Sequence, residues 1–150
     1  MNDFNTKKIP EDERFHRLLA EDSPIVSAIR AALPNTLAIY AFGSRISGQS
    51  DAASDLDLAV LVEGYAEPVA LWELAGTLAA MAGCDVDLLD MRAASTVMQY
   101  QILSSGRCLW ALQPQAGLFE SYVLSEKMAL DEARAGLLAD IKQRGRIYAR

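Results

Sequence analysis

The stretch Leu37-Ala38-Ile39-Tyr40-Ala41-Phe42-Gly43-Ser44, followed after ten residues by Asp55-Leu56-Asp57-Leu58-Ala59-Val60-Leu61-Val62, decides the fold. Its first half is a short, almost wholly apolar run after Pro34-Asn35, the pattern of a buried strand. Gly43 ends it with a residue that turns sharply and lets backbone approach a ligand closely. Ser44 adds a hydroxyl and an amide where a helix would begin, a place that suits phosphate oxygens. The second half alternates with a period of two, so Asp55 and Asp57 share one face while Leu56 and Leu58 enter the core. Alternate strand residues lie roughly 7 Å apart. Both carboxylates can therefore reach a pair of divalent ions spaced about 4 Å apart. A phosphate cradle beside a metal-binding pair implies nucleotide chemistry.

A third carboxylate is expected from a neighbouring strand. Cys84-Asp85-Val86-Asp87-Leu88-Leu89-Asp90 has strand-like alternation, with Asp85 and Asp87 on one face. Asp87 precedes Leu88-Leu89 and sits within the strand, which favours it, but Asp85 stays open as the third ligand. Between Arg45 and Arg92 there is no Lys or Arg, while nine acids fall there. Crowded carboxylates repel unless separated, protonated or neutralised by metal. Hard oxygen ligands favour magnesium or manganese over zinc. Asp51, Glu63, Glu67 and Glu73 are read as solvated surface. Arg45, directly after the turn, is placed to meet a triphosphate, since guanidinium matches phosphate oxygens; a surface ion pair is its alternative.

Working outward, Phe15–Leu19 and Ile25–Leu33 read as helices, the second capped by Ser23-Pro24. Strands are expected at 37–42 and 56–62, with a loop over 46–53. A helix over 67–81 closes at Gly83, and a strand follows at 85–89. A helix over 94–104 leads to a strand over 107–111. Pro114 and Gly117 mark a break before a long helix from 118 to 148, with Phe119, Tyr122, Val123, Met128, Leu130, Leu137, Leu138 and Ile141 as its core stripe and Gly136 and Gly145 weakening or kinking it. The sum is α/β (α+β), a small mixed β-sheet packed with helices. One domain over 1–150 is expected, with 1–22 as an N-terminal helical extension.

The chain has 150 residues, 51% hydrophobic and 23% charged, with a formal net charge of −6. That charge argues against broad nucleic-acid binding, which needs a basic face. Six basic residues against three acidic ones from Lys127 onward leave a basic tail that suits a phosphate or an acidic partner. Cys84 and Cys108 are too few for a zinc site or a disulfide framework and are expected buried and reduced. No apolar stretch suggests a signal peptide or membrane span, so the cytoplasm is the expected location. His16, the lone histidine, is expected at the surface; Trp72 and Trp110 are expected in the core.

Gly43-Ser44, ten residues, then Asp55-x-Asp57 resembles the signature of the polymerase-β-like nucleotidyltransferases. The short length resembles the minimal nucleotidyltransferase (MNT) branch. The closing stretch Leu138–Tyr148 is similar to the C-terminal helix of MNT antitoxins that pair with HEPN-domain RNase toxins. The resemblance implies the polymerase-β-like fold and transfer of AMP from ATP to a tyrosine hydroxyl of the HEPN toxin, with release of pyrophosphate and loss of RNase activity. It implies that Gly43 and Ser44 hold the β,γ-phosphates, that Asp55 and Asp57 bind two Mg2+ (or Mn2+) ions, and that Asp87 completes the site and helps deprotonate the acceptor. Two other functions compete: neutralisation of the toxin by binding alone, and nucleotidyl transfer to a small molecule.

Overall fold

The computed structural model describes residues 11–47 and 55–148. Asp51, Ser54 and Arg150, and most of the loop expected over 46–53, lie outside them. The chain begins with α1 (Glu11–Leu18) and α2 (Pro24–Ala32). Ser23 caps α2, its Oγ accepting from the Val26 amide at 3.2 Å, and Pro24 opens the first turn. Ile25, Val26 and Ile29 form the buried face.

The sheet has four strands: β1 (Thr36–Phe42), β2 (Leu56–Val62), β3 (Val86–Asp90) and β4 (Arg107–Ala111), in the order β3-β2-β1-β4. β1 runs antiparallel to both β2 and β4, while β2 and β3 are parallel. That parallel pair needs a crossover, supplied by α4 (Pro68–Ala82). The Glu67 carboxylate caps α4 through the amides of Val69 and Ala70, and Gly83 ends it in the left-handed region.

Helices cover both faces of the sheet, which is why β1 and β2 read as continuous apolar runs rather than clean alternation. On one face Ile39, Leu58, Val60 and Leu88 pack with α2 and with Leu71, Leu74 and Leu78 of α4. On the other, Ala38, Tyr40, Ala59 and Leu61 meet Ile102 of α5 (Thr96–Ser105) and Phe119 and Val123 of α6 (Gln115–Tyr148). No helix among the described residues is long and apolar enough to cross a membrane.

Several sequence expectations need correction. The last helix starts at Gln115, three residues early, and runs unbroken through Gly117, Gly136 and Gly145. Its expected core stripe holds only at Phe119, Val123 and, half-buried, Leu130. Tyr122, Met128, Leu137, Leu138 and Ile141 are exposed. The reason is length: 34 residues of helix span roughly 50 Å, about twice a seven-residue strand, so the helix outruns the body that could cover it. Trp72 is 78% exposed, because the buried stripe of α4 follows Leu71, Leu74 and Leu78 and leaves its neighbour outside. Trp110 is half-buried under the Arg30 guanidinium, 4.2 Å from the ring centroid. Cys84 is half-buried and Cys108 exposed on the edge strand β4; both are free. His16 is exposed, as expected.

Asp90 at the end of β3 is buried and structural. Its carboxylate accepts from the Ala66 amide at 2.9 Å and the Arg92 amide at 3.1 Å, while the Arg92 guanidinium donates to the Val62 carbonyl. These bonds tie the β2–α4 connection to the end of β3. Asp90→Ala is expected to lower stability by about 1–3 kcal/mol, because it leaves two part-buried amide donors without their acceptor; urea unfolding measures it.

Candidate active site

The site is built where β1 ends. Phe42, its last residue, lies opposite Asp57 in the antiparallel register. Gly43 follows with a φ of 81°, in the left-handed region, and any side chain there would strike the Asp57 carboxylate. Glycine is thus required twice, by the turn and by the close approach. Ser44 opens the single-turn α3 (Ser44–Ser47), whose Ile46 amide donates to the Gly43 carbonyl at 3.1 Å. Arg45 lies half-buried in that turn with its guanidinium carbon 5.3 Å from the Phe15 ring centroid. This contact with α1 had no signal in the sequence.

On the other side of Asp57, the parallel register sets Asp87 of β3 directly beside it. Asp55, exposed, precedes β2 by one residue and has the same strand parity as Asp57. The three carboxyls interact: burial first, then the charges of Asp87 and Asp55, push the Asp57 carboxyl above its ordinary range. Asp85 stands just before β3, exposed, with its backbone carbonyl accepting from the Leu56 amide at 2.9 Å. Register and charge therefore bring Asp87, not Asp85, to Asp57. Among the described residues no three His, Cys, Asp or Glu side chains close into a ready metal-ligand group; the carboxylates are neighbours rather than a finished cage.

A glycine turn, an Asp-x-Asp strand and a further acid in register thus lie together, and residues 26–115 match the family model described as polymerase beta, nucleotidyltransferase. The chain belongs to this nucleotidyltransferase family. Among its relatives, the protein adenylyltransferase MntA of Shewanella oneidensis is 36% identical over 120 residues, which cover 80% of this nucleotidyltransferase and 86% of MntA. Among solved structures, a chain of a toxin–antitoxin crystal structure with AMP-PNP superposes with a TM-score of 0.69 at 36% identity, covering 79% of this chain and 95% of that one. A structure of the tri-AMPylated Shewanella oneidensis HEPN toxin in complex with the MNT antitoxin matches with a TM-score of 0.66 at 31% identity, covering 88% of this chain and 98% of that one. The polymerase-β nucleotidyltransferase fold implied by the family resemblance is therefore the fold of this chain.

Two further features lie elsewhere on the sheet. An open groove of about 610 Å3 runs between α4 and β3, lined by Trp72, Gly76, Ala79, Asp85 and Asp87 among others. On the α5–α6 face, the Tyr40 hydroxyl donates to Glu120 Oε1 at 3.0 Å. Burial and the Glu120 charge hold that phenol well above its ordinary range, so it stays a donor. Neither feature had a sequence motif; both arise from residues far apart in the chain.

Proposed function

We propose that this chain is a protein adenylyltransferase of the MNT type that transfers AMP from ATP to a HEPN-domain toxin and so acts as its antitoxin. The observation that carries the proposal is the likeness to MntA over 80% of the chain, together with an intact set of acids around the glycine turn. We assign Gly43, Ser44 and Arg45 to the triphosphate and Asp55, Asp57 and Asp87 to divalent metal, with a tyrosine hydroxyl as acceptor and the cytoplasm as the setting.

The residues fit a dication. Burial and then the charges of Asp87 and Asp55 push Asp57 up, a penalty that bound cation relieves, and the sequence from 46 to 91 holds no Lys or Arg. Magnesium or manganese, when bound, would supply charge compensation at the phosphates and help acidify the acceptor. The chain's own part is positioning. The Gly43–Ser44 turn holds the leaving pyrophosphate on the β1 side of Asp57. Asp87 lies on the β3 side, where it receives the proton of a phenol whose ordinary pKa is about 10. The acceptor oxygen bonds to the α-phosphorus, the α,β-bridging bond breaks, and pyrophosphate departs.

Incubation of the purified chain with its HEPN partner, magnesium and ATP labelled at the α-phosphate is expected to move label to the partner, while label at the γ-phosphate is lost as pyrophosphate. EDTA is expected to stop it. Inhibition of the partner's RNase with no label would replace catalysis by occlusion.

A further inference from the structure

We infer that the groove between α4 and the open edge of β3 is the docking track for the acceptor segment of the protein substrate, with Trp72 as its anchor. This rests on the adenylyltransferase reading above. In-line displacement puts the attacking and leaving oxygens on opposite sides of the α-phosphorus. The pyrophosphate side is set by Gly43, which follows β1 and abuts Asp57. The attacking side is therefore toward β3, the next strand and the last on that edge of the sheet. The acceptor must arrive across that edge, beside Asp87.

The surface it crosses has the form such a segment needs. Residues 85–88 of β3 form one wall of the groove; Val86 and Leu88 face α4 and Asp87, by strand parity, the opposite side, so the β3 edge is what the groove and the acid cluster share. β3 is five residues long and, among the described residues, one of its edges is unpaired; an exposed edge offers backbone donors and acceptors to an extended chain. Ala75, Gly76 and Ala79 leave the α4 side low, and a side chain at Gly76 would point into open space. Trp72 stands on this wall, 78% exposed. A large exposed aromatic flanking a cleft is a common form of interface anchor. Tyr65 and Val69, exposed nearby in sequence at the start of α4, extend the apolar surface.

Charge selects the occupant. Among the described residues, the charged ones that line the groove, Glu73, Asp85 and Asp87, are all acidic. A segment that pairs an apolar or aromatic residue for Trp72 with Lys or Arg near the acceptor hydroxyl fits; an acidic segment does not.

The test is steady-state AMP transfer to the purified HEPN partner by wild type, Trp72→Ala, Trp72→Phe and Glu73→Lys, with KM measured separately for partner and ATP. Trp72 is outside the core, so the variants are expected to melt with wild type. Trp72→Ala is expected to raise KM for the partner about tenfold or more, with KM for ATP unchanged. Trp72→Phe recovers most of the loss, and Glu73→Lys raises KM for the partner alone. Unchanged partner KM in Trp72→Ala and Glu73→Lys, with wild type active, overturns the groove assignment and leaves the adenylyltransferase reading standing. A wild type that moves no AMP overturns both.

Discussion

Asp57→Asn is expected to abolish AMP transfer, lowering kcat by about 10³-fold or more, while the fold persists and the metal-free protein becomes more heat-stable at neutral pH. The two halves of this outcome have one cause. Burial and the charges of Asp87 and Asp55 raise the Asp57 carboxyl above its ordinary range. A carboxyl with a higher pKa folded than unfolded holds its proton more tightly in the native state. Stability is then greatest when it is protonated and falls as pH rises from the ordinary carboxylate pKa through the raised folded value. At neutral pH the native state carries the whole penalty, and asparagine removes it. Melting in EDTA across the acid range should show a fall for wild type that is smaller in Asp57→Asn. Added magnesium should raise the wild-type Tm by linkage and leave the variant unmoved. Asp87→Asn is expected to lose transfer as well, and Asp85→Asn to keep it, as the register of β2 and β3 requires. Normal turnover by Asp57→Asn contradicts the assignment.

Gly43→Ala should be nearly as damaging by a different route. Its φ of 81° costs an alanine about 1–2 kcal/mol, and the new methyl would land on the Asp57 carboxylate. The turn and the acid cannot both keep their places. We expect a loss of stability of about that size in urea and a fall in kcat of about 10²-fold or more, since small displacements of reacting groups are costly. Gly64→Ala separates the two effects. Gly64 also has a positive φ, 70°, yet a methyl there meets nothing within 4 Å. It should lose stability and keep its activity.

The spacing of Gly43-Ser44 and Asp55-x-Asp57 made the sheet and the acid pair legible, because burial on both faces leaves an apolar signature and strand parity sets direction. The acid that stands beside Asp57 on β3 was legible only as a pair of candidates. Asp85 and Asp87 have the same parity, and the choice between them is a matter of register between separate strands, which no local pattern records. The outer half of α6 was misread for a related reason. Apolar residues at helical spacing announce a face but not what covers it, and Leu137, Leu138 and Ile141 extend beyond the sheet. Trp72 failed likewise: its composition said core, but its position, one step from Leu71 on α4, said surface. Asp90 looked like one more acid in a crowded run and is instead a buried brace.

The most direct test of the account is a crystal structure of the chain with Mn2+ and AMP-PNP, using anomalous scattering to locate the metal. Manganese is expected between Asp57 and Asp87, with Asp55 alongside, and the β,γ-phosphates against the Gly43–Ser44 turn. Nucleotide seated elsewhere, or manganese held by other residues with Asp57 and Asp87 apart from it, would contradict it.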